Sequence, residues 1–439
     1  MTPAARLAAA IEVLDAIGGG SAPAEEVLRA WGRAHRFAGS KDRRAIAERV
    51  YAVLRARTRL AWAMGGESGR ALVIGALRLQ DGLDLDRMEA LADGQGYGPA
   101  PLTEDERQRL RIALQPPPDW IAAGLPAFAI PMFQTRFGLE WLPEAQALTG
   151  ARAPLDLRVN ALRGGVDQAM SLLAIDGVEP GRTPYSAWGL RLPADLAADV
   201  TRWRAFQTGW VEVQDEASQI AAALAGARPG MTVVDYCAGG GGKTLALGAA
   251  MRAGAEASPG ARLIALDVNP KRLDAMAPRL ARAGVRAEVR RIGSEGQGTE
   301  DLPNLADLVF VDAPCSGSGT WRRHPEGTWR VTAETVERLA RQQLSILAQA
   351  SALVKPGGRL AYATCSVLPA ENEAVAAAFE LNHPQFRPWP IARVLDAPDL
   401  TDAARIRLAE LAGGGSRLQL TPHQSGTDGF FLALFERTA

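Results

Sequence analysis

The chain has 439 residues, 47 % apolar and 22 % charged, with 49 basic and 49 acidic side chains, three cysteines and four histidines. That length holds two or three domains with ordinary globular cores, and the even charge gives no sign of a polyanion partner in the total. Three separated cysteines exclude a disulfide framework and suit a reducing cytoplasm, the histidines form no metal cluster, no apolar run is long enough for a membrane span, and Met1–Ala10 lacks the apolar stretch of a secretory signal.

Residues 1–130 read as helical, with Ile46, Val50, Val53 and Leu54 at helical spacing. Gly18–Gly20 and Pro116–Pro118 interrupt this region, and the triple proline, which cannot continue a helix, predicts a boundary. Locally the charge is uneven. Arg33, Arg36, Lys41, Arg43, Arg44, Arg49, Arg55, Arg57 and Arg59 are opposed only by Asp42 and Glu48. Such a run is either a phosphate-binding face or simply a solvated helix face.

From about residue 150 the texture changes to a small α+β segment. Leu155–Asn160 alternates like a strand, and Trp210–Val213 reads as another extended piece. From 230, strands and helices alternate. Thr232–Tyr236, Leu263–Val268, Ala287–Ile292, Leu308–Val311 and Leu360–Thr364 read as strands. A long helix over Glu334–Leu353 is expected to end at Lys355–Gly358, and Arg417–Leu420 and Phe430–Phe435 are further strand candidates. The pattern predicts an α/β fold with a mostly parallel sheet covered on both faces.

The first of these strands runs into a Gly-rich turn, Cys237-Ala238-Gly239-Gly240-Gly241-Gly242-Lys243-Thr244. A nucleotide phosphate loop needs a glycine five residues before the Gly-Lys-Thr ending, and position 237 is a cysteine. The better reading is a nucleoside cofactor across the carboxyl edge of the sheet, with Asp267 at the second strand's end accepting from ribose hydroxyls. Two of the three cysteines follow later strands: Asp312-Ala313-Pro314-Cys315-Ser316-Gly317 after the fourth, Thr364-Cys365-Ser366 at the end of the fifth. Buried structural cysteines are common, but two thiols at one sheet edge favour chemistry. A thiolate adding to carbon six of a cytosine makes carbon five nucleophilic. Asp312 is placed to stabilise the adduct at ring nitrogen three, and a second thiol to assist its breakdown. A paired base would have to leave its stack to reach such a pocket.

Taken together, these segments resemble the Fmu/Sun RNA cytosine-5 methyltransferases over roughly residues 150–436. The resemblance rests on Val213–Gln219, the Cys237–Thr244 turn, Asp312–Gly317 and Thr364–Ser366. It implies a Rossmann-like S-adenosylmethionine methyltransferase sheet over 216–439, a small RNA-recognition-like α+β subdomain over 150–215, and a helical NusB-like RNA-binding domain over 1–135. It also implies Cys365 as nucleophile, Cys315 as the release thiol, and Asp312 and Lys243 as residues positioning and polarising the cytosine. Cys237, Ala238, Gly239, Gly240, Gly241, Gly242, Lys243, Asp267 and Asp312 would hold S-adenosylmethionine. The partner implied is RNA, ribosomal in preference to transfer RNA, for a cytoplasmic monomer with neither membrane nor metal. Thr320–Pro325 resembles a family segment beside the target base, where Arg322 and Arg323 either bind phosphate or shape a loop. Two departures stand out: Gly239-Gly240 replaces the usual Ala-Pro, and Ser294-Glu295 replaces the usual aspartate after the third strand. The rival readings are a non-catalytic RNA-binding assembly factor and an amino-nitrogen methyltransferase; the latter would carry an aromatic residue where Cys315 stands.

Overall fold

The computed structural model describes all residues except 113–114, 151, 195, 197–198, 255–256 and 439. It divides into two compact units, Met1–Ala151 with Trp321–Thr332, and Arg152–Thr320 with Ala333–Ala439.

The first unit is helical. Pro3–Gly18, Ala24–Ala34, Ser40–Arg55, Arg57–Met64 and Gly69–Leu79 enclose a core that includes Val13, Ile17, Ile46, Val50, Leu60 and Ile74. Side chains supply the first-turn amides with acceptors: Thr2 at Ala5, Ser68 at Ala71, and a reciprocal Thr103–Glu106 capping box. The triple proline does not end the helical region. Ile130–Phe137 and Trp141–Thr149 continue it, with Pro131 in a first turn where its missing N–H costs nothing. Much of the basic run is engaged within the unit. Arg43 donates to the Ala38 carbonyl, and Arg44, Arg49 and Arg57 pair with Glu48, Asp81 and Glu67. Trp321–Thr332 also belongs to this unit: Glu326 accepts from Ala24 N at 3.0 Å, and Arg57 stacks 4.7 Å from the Trp329 ring.

The second unit holds two sheets. The smaller comprises β1 (Leu155–Val159), β2 (Gly181–Arg182), β3 (Gly189–Leu192) and β4 (Val211–Val213), ordered β2-β3-β1-β4 and antiparallel throughout. The helix Val166–Ile175 covers it through Ala169 and Leu173, packed with Leu157 and Val159. The larger sheet comprises β5 (Thr232–Tyr236), β6 (Arg262–Asp267), β7 (Glu288–Arg291), β8 (Ala306–Asp312), β9 (Val354–Thr364), β10 (Phe386–Pro388), β11 (Arg417–Leu420) and β12 (Phe430–Arg437). Its order is β10-β12-β9-β8-β5-β6-β7, with β11 paired to β12. β5 to β9 run parallel and β12 returns antiparallel beside β9. Val233, Val234, Ile264, Val309, Phe310, Tyr362 and Phe431 are all buried, as an apolar strand run covered on both faces requires. Each such side chain contributes about 1.5–3 kcal/mol.

Two details differ from the sequence expectation. The long helix stops at Ser351, and Lys355–Gly358 lies within β9 instead of ending the helix. The β8–β9 register shifts between Ala306 and Leu308, and Gly357 at φ 73° takes up the irregularity. β10 has no alternating pattern to announce it; it is three residues on a sheet edge, where Pro388 is tolerated. The strand order reverses between β5 and β8, which opens a crevice at their carboxyl ends.

Candidate active site

That crevice is a cleft of about 730 Å³, and it contains the turn after β5, Asp267, Asp312, Cys315 and Cys365. The size suits a nucleoside-sized ligand.

On the β5–β6 side the walls are backbone. Cys237, Gly239 and Gly241 take φ of 70°, 55° and 84°, so the chain bends back before the helix Gly242–Ala250 begins. Gly241 has no room for a side chain, since a Cβ there would sit 2.5 Å from Met276 Cγ. Asp267 holds the bend, accepting from Gly239 N at 2.8 Å and Asn269 N at 2.7 Å. Its remaining lone pairs are available to ribose hydroxyls. The Cys237 thiol is pushed up, first by burial and then by the carboxylates of Asp267, Asp312 and Asp235, so it is no nucleophile. Of the two replacements for the missing aspartate, Ser294 lines the cleft, whereas Glu295 bonds to Gln297. Arg272 also lines the cleft, close to Gly239, and only the fold brings the two together.

Lys243 is not poised for a triphosphate. Its ammonium donates to Asp312 at 2.6 Å and lies 5.0 Å from the centre of the Phe430 ring. Burial alone would lower its pKa, but the Asp312 charge and hydrogen bond, with the nearby Cys365, outweigh it and the net shift is upward. Lys243 therefore stays charged at the Cys365 end of the cleft. Beneath it, Asp235 is buried. One oxygen accepts from Thr244 at 2.6 Å, and the other has no partner among the described residues. Burial, opposed in part by Thr244, pushes its pKa up to about 7.

On the β8–β9 side the walls are side chains. β8 and β9 run parallel with Asp312 opposite Ala363, which sends both cysteine loops out at one edge. The Cys315 and Cys365 sulfurs are 3.4 Å apart, each half-buried and each lining the cleft. The Cys315 thiol is raised well above its ordinary range, first by its hydrogen bond with Cys365, then by burial and by the charges of Cys365 and Glu371. Cys315 thus holds its proton more tightly than a free thiol, at hydrogen-bond distance from Cys365. Glu371, which the sequence reading missed, is fully buried and hydrogen-bonded to both cysteine loops. Followed by Asn372 and Glu373, it carries no sequence signal that sets it apart from a solvated carboxylate.

Other predicted residues stand elsewhere. Trp321–Pro325 lies in the first unit, and Arg322 is 5 % exposed, which favours a structural loop over a surface phosphate contact. Within Val213–Gln219, Glu216 is buried and accepts from Tyr185 N and Ser186 N, while Gln214 accepts from Arg158. That motif holds β1 and β3 to the helix Glu216–Ala225 and contributes no group to the cleft.

The sequence model of the family described as 16S rRNA methyltransferase RsmB/F matches residues 222–436. Ribosomal RNA small subunit methyltransferase B of Sodalis glossinidius (strain morsitans) is 32 % identical over 344 residues, 77 % of this chain and 69 % of its own. The protein of that name from Erwinia tasmaniensis is 33 % identical over 282 residues, 64 % of this chain and 59 % of its own. The chain thus spans about three-fifths to two-thirds of the length of the relatives it matches. Among solved structures, PH0851 superposes with a TM-score of 0.76 at 23 % identity, covering 100 % of this chain and 99 % of its own. A methyltransferase homolog protein from Pyrococcus horikoshii gives 0.57 at 25 % identity, covering 73 % and 97 %.

Proposed function

The chain belongs to the RsmB/F family of 16S rRNA methyltransferases, and on that premise we propose that it methylates carbon five of a cytosine in ribosomal RNA through a covalent Cys365 adduct. S-adenosylmethionine supplies the electrophilic methyl group when bound. The residues present fit it: a left-handed turn that leaves no room for a Cβ at Gly241, with Asp267 beside it.

In this mechanism the Cys365 thiolate adds to carbon six of the cytosine, and the ring electron pair moves towards carbon five and ring nitrogen three. Ring nitrogen three takes up a proton from water as the adduct forms, and Asp312, held by Lys243, orients the base by accepting a hydrogen bond from that N–H, while Lys243 keeps positive charge beside the nucleophile. Once carbon five carries the methyl group, its proton passes to water. The carbon five–carbon six double bond re-forms and Cys365 leaves with its bonding pair. Cys315 lies 3.4 Å away with its proton in place, so its S–H can stabilise the leaving sulfur. The helical first unit, with Arg33, Arg36, Lys41 and Arg59 among its basic side chains, contributes RNA binding in a cytoplasmic setting. No helix among the described residues is long and apolar enough to cross a membrane.

The observation that carries this reading is the pair of sulfurs opening into the cleft that also holds the Gly-rich turn. The test is incubation with labelled S-adenosylmethionine and small-subunit ribosomal RNA, with 5-fluorocytidine in place of cytidine in a parallel sample. Label at carbon five of cytosine and a protein–RNA band that survives denaturation are expected. Label on an exocyclic nitrogen, or no covalent band, would overturn it.

A further inference from the structure

The two thiols are held by one buried carboxylate. Glu371 Oε1 accepts from Ser316 N at 2.8 Å and Gln343 Nε2 at 3.0 Å. Its Oε2 accepts from Ser366 Oγ at 2.8 Å and from Ser316 Oγ. Ser316 follows Cys315 and Ser366 follows Cys365, so both cysteine–serine pairs are tied to the same group. Among the described residues no cation pairs with this carboxylate, although it is fully buried. Burying a carboxylate is costly to stability unless its oxygens are hydrogen-bonded, as they are here on all sides.

We propose that Glu371 is the positioning residue that sets the division of labour between the two thiols, fixing Cys315 against Cys365 and placing negative charge on the Cys315 side. The two loops depend on it unequally. Gly319 N, on the Cys315 loop, donates to the Cys365 carbonyl at 2.9 Å and so joins the two loops directly, and the Cys365 loop has a further anchor of its own, the Ser366 carbonyl accepting from Asn372 Nδ2 at 2.9 Å. On the Cys315 loop, the Pro314 carbonyl is bonded to Gln343, itself a Glu371 partner. Charge follows the same division. Glu371 acts to keep the proton on Cys315, while Lys243 sits close enough to Cys365 for their charges to interact. Loss of Glu371 therefore impairs release of the product more than addition to the base.

This inference rests on the thiol mechanism proposed above, and the wild-type protein separates the two. If wild-type protein forms no adduct with 5-fluorocytidine RNA, the thiol mechanism fails whatever Glu371 does. Where it does form one, Glu371→Gln is expected to bind S-adenosylhomocysteine as wild type does. Its kcat should fall by about 10- to 100-fold with little change in KM for RNA, the scale of a small misplacement at a reacting centre. A denaturation-resistant adduct should accumulate on ordinary cytidine RNA, which a merely structural carboxylate would not produce. Should Glu371→Gln fail to fold, Ser316→Ala and Ser366→Ala each remove one hydroxyl donor and leave both N–H donors, with a smaller effect in the same direction. Folded variants with wild-type turnover, or with lost turnover and no adduct on cytidine RNA, overturn the proposal.

Discussion

The two walls of the cleft are built on different principles. On the β5–β6 side, backbone shape does the holding: left-handed residues, a glycine with no room for a Cβ, and an aspartate that fastens the bend. On the β8–β9 side, side-chain charge does it: Lys243 with Asp312, and Glu371 with both cysteine loops. A wall of backbone is indifferent to most side chains and sensitive to added bulk. A wall of charges is sensitive to single atoms, because each group left unpaired in a buried site carries its full desolvation cost. Substitutions on the first wall should therefore act on cofactor affinity, and those on the second on turnover.

The largest effect belongs to the second wall. Cys365→Ala is expected to reduce turnover by on the order of 10⁴-fold or more, the scale seen when a nucleophile is removed. Melting temperature and cofactor affinity should stay near wild type, which calorimetry would check. Next comes Cys315→Ala, for which a protein–RNA adduct surviving denaturing gels should build up on cytidine RNA; normal turnover would remove Cys315 from the release step. Asp312→Asn should cost roughly 10²- to 10³-fold in kcat, since it takes charge from the base-binding group and leaves Lys243 without its partner. A loss confined to KM for S-adenosylmethionine would move Asp312 to the other wall.

On the first wall the effects are smaller. Gly241→Ala puts a Cβ against Met276 and an L-residue at φ 84°, a conformation costing roughly 1–2 kcal/mol. S-adenosylhomocysteine should bind about tenfold more weakly, with kcat at saturating cofactor little changed. Asp235 gives the smallest effect, a pH dependence of stability. Its folded pKa of about 7 lies above its ordinary 3.8, so the folded state binds more protons between those values. Its contribution is fully present below pH 3.8 and is lost as pH rises through about 7. Asp235→Asn should raise the melting temperature relative to wild type most at pH 8, less at pH 5, and hardly at all below pH 3.8. An equal gain at pH 8 and pH 5 would mean that Asp235 is not protonated in the fold.

The sequence made the second wall's thiols legible and left their support hidden. Cys315 and Cys365 stand out because thiols are rare in this chain and both follow apolar strand runs. Glu371, Gln343 and Arg272 did not, because nothing in their neighbourhoods separates a buried carboxylate, amide or guanidinium from a solvated one. β10 was missed for a related reason: three edge residues carry no period. Lys355–Gly358 was misplaced because a Pro-Gly-Gly run signals a helix end equally well whether the chain next turns or enters a bulged strand.

Local pattern by itself determined the alternation of strands and helices, the carboxyl-edge position of the turn and both cysteines, and the exclusion of a phosphate loop by Cys237. These follow from period, strand direction and the steric demands of single residues, all of which are short-range. Only the tertiary structure decided that the two sulfurs lie 3.4 Å apart, that Lys243 is spent on Asp312, that Ser294 and not Glu295 lines the cleft, and that one carboxylate ties both thiol loops. Those facts depend on strand order and register between segments tens of residues apart, which a linear pattern constrains but does not fix.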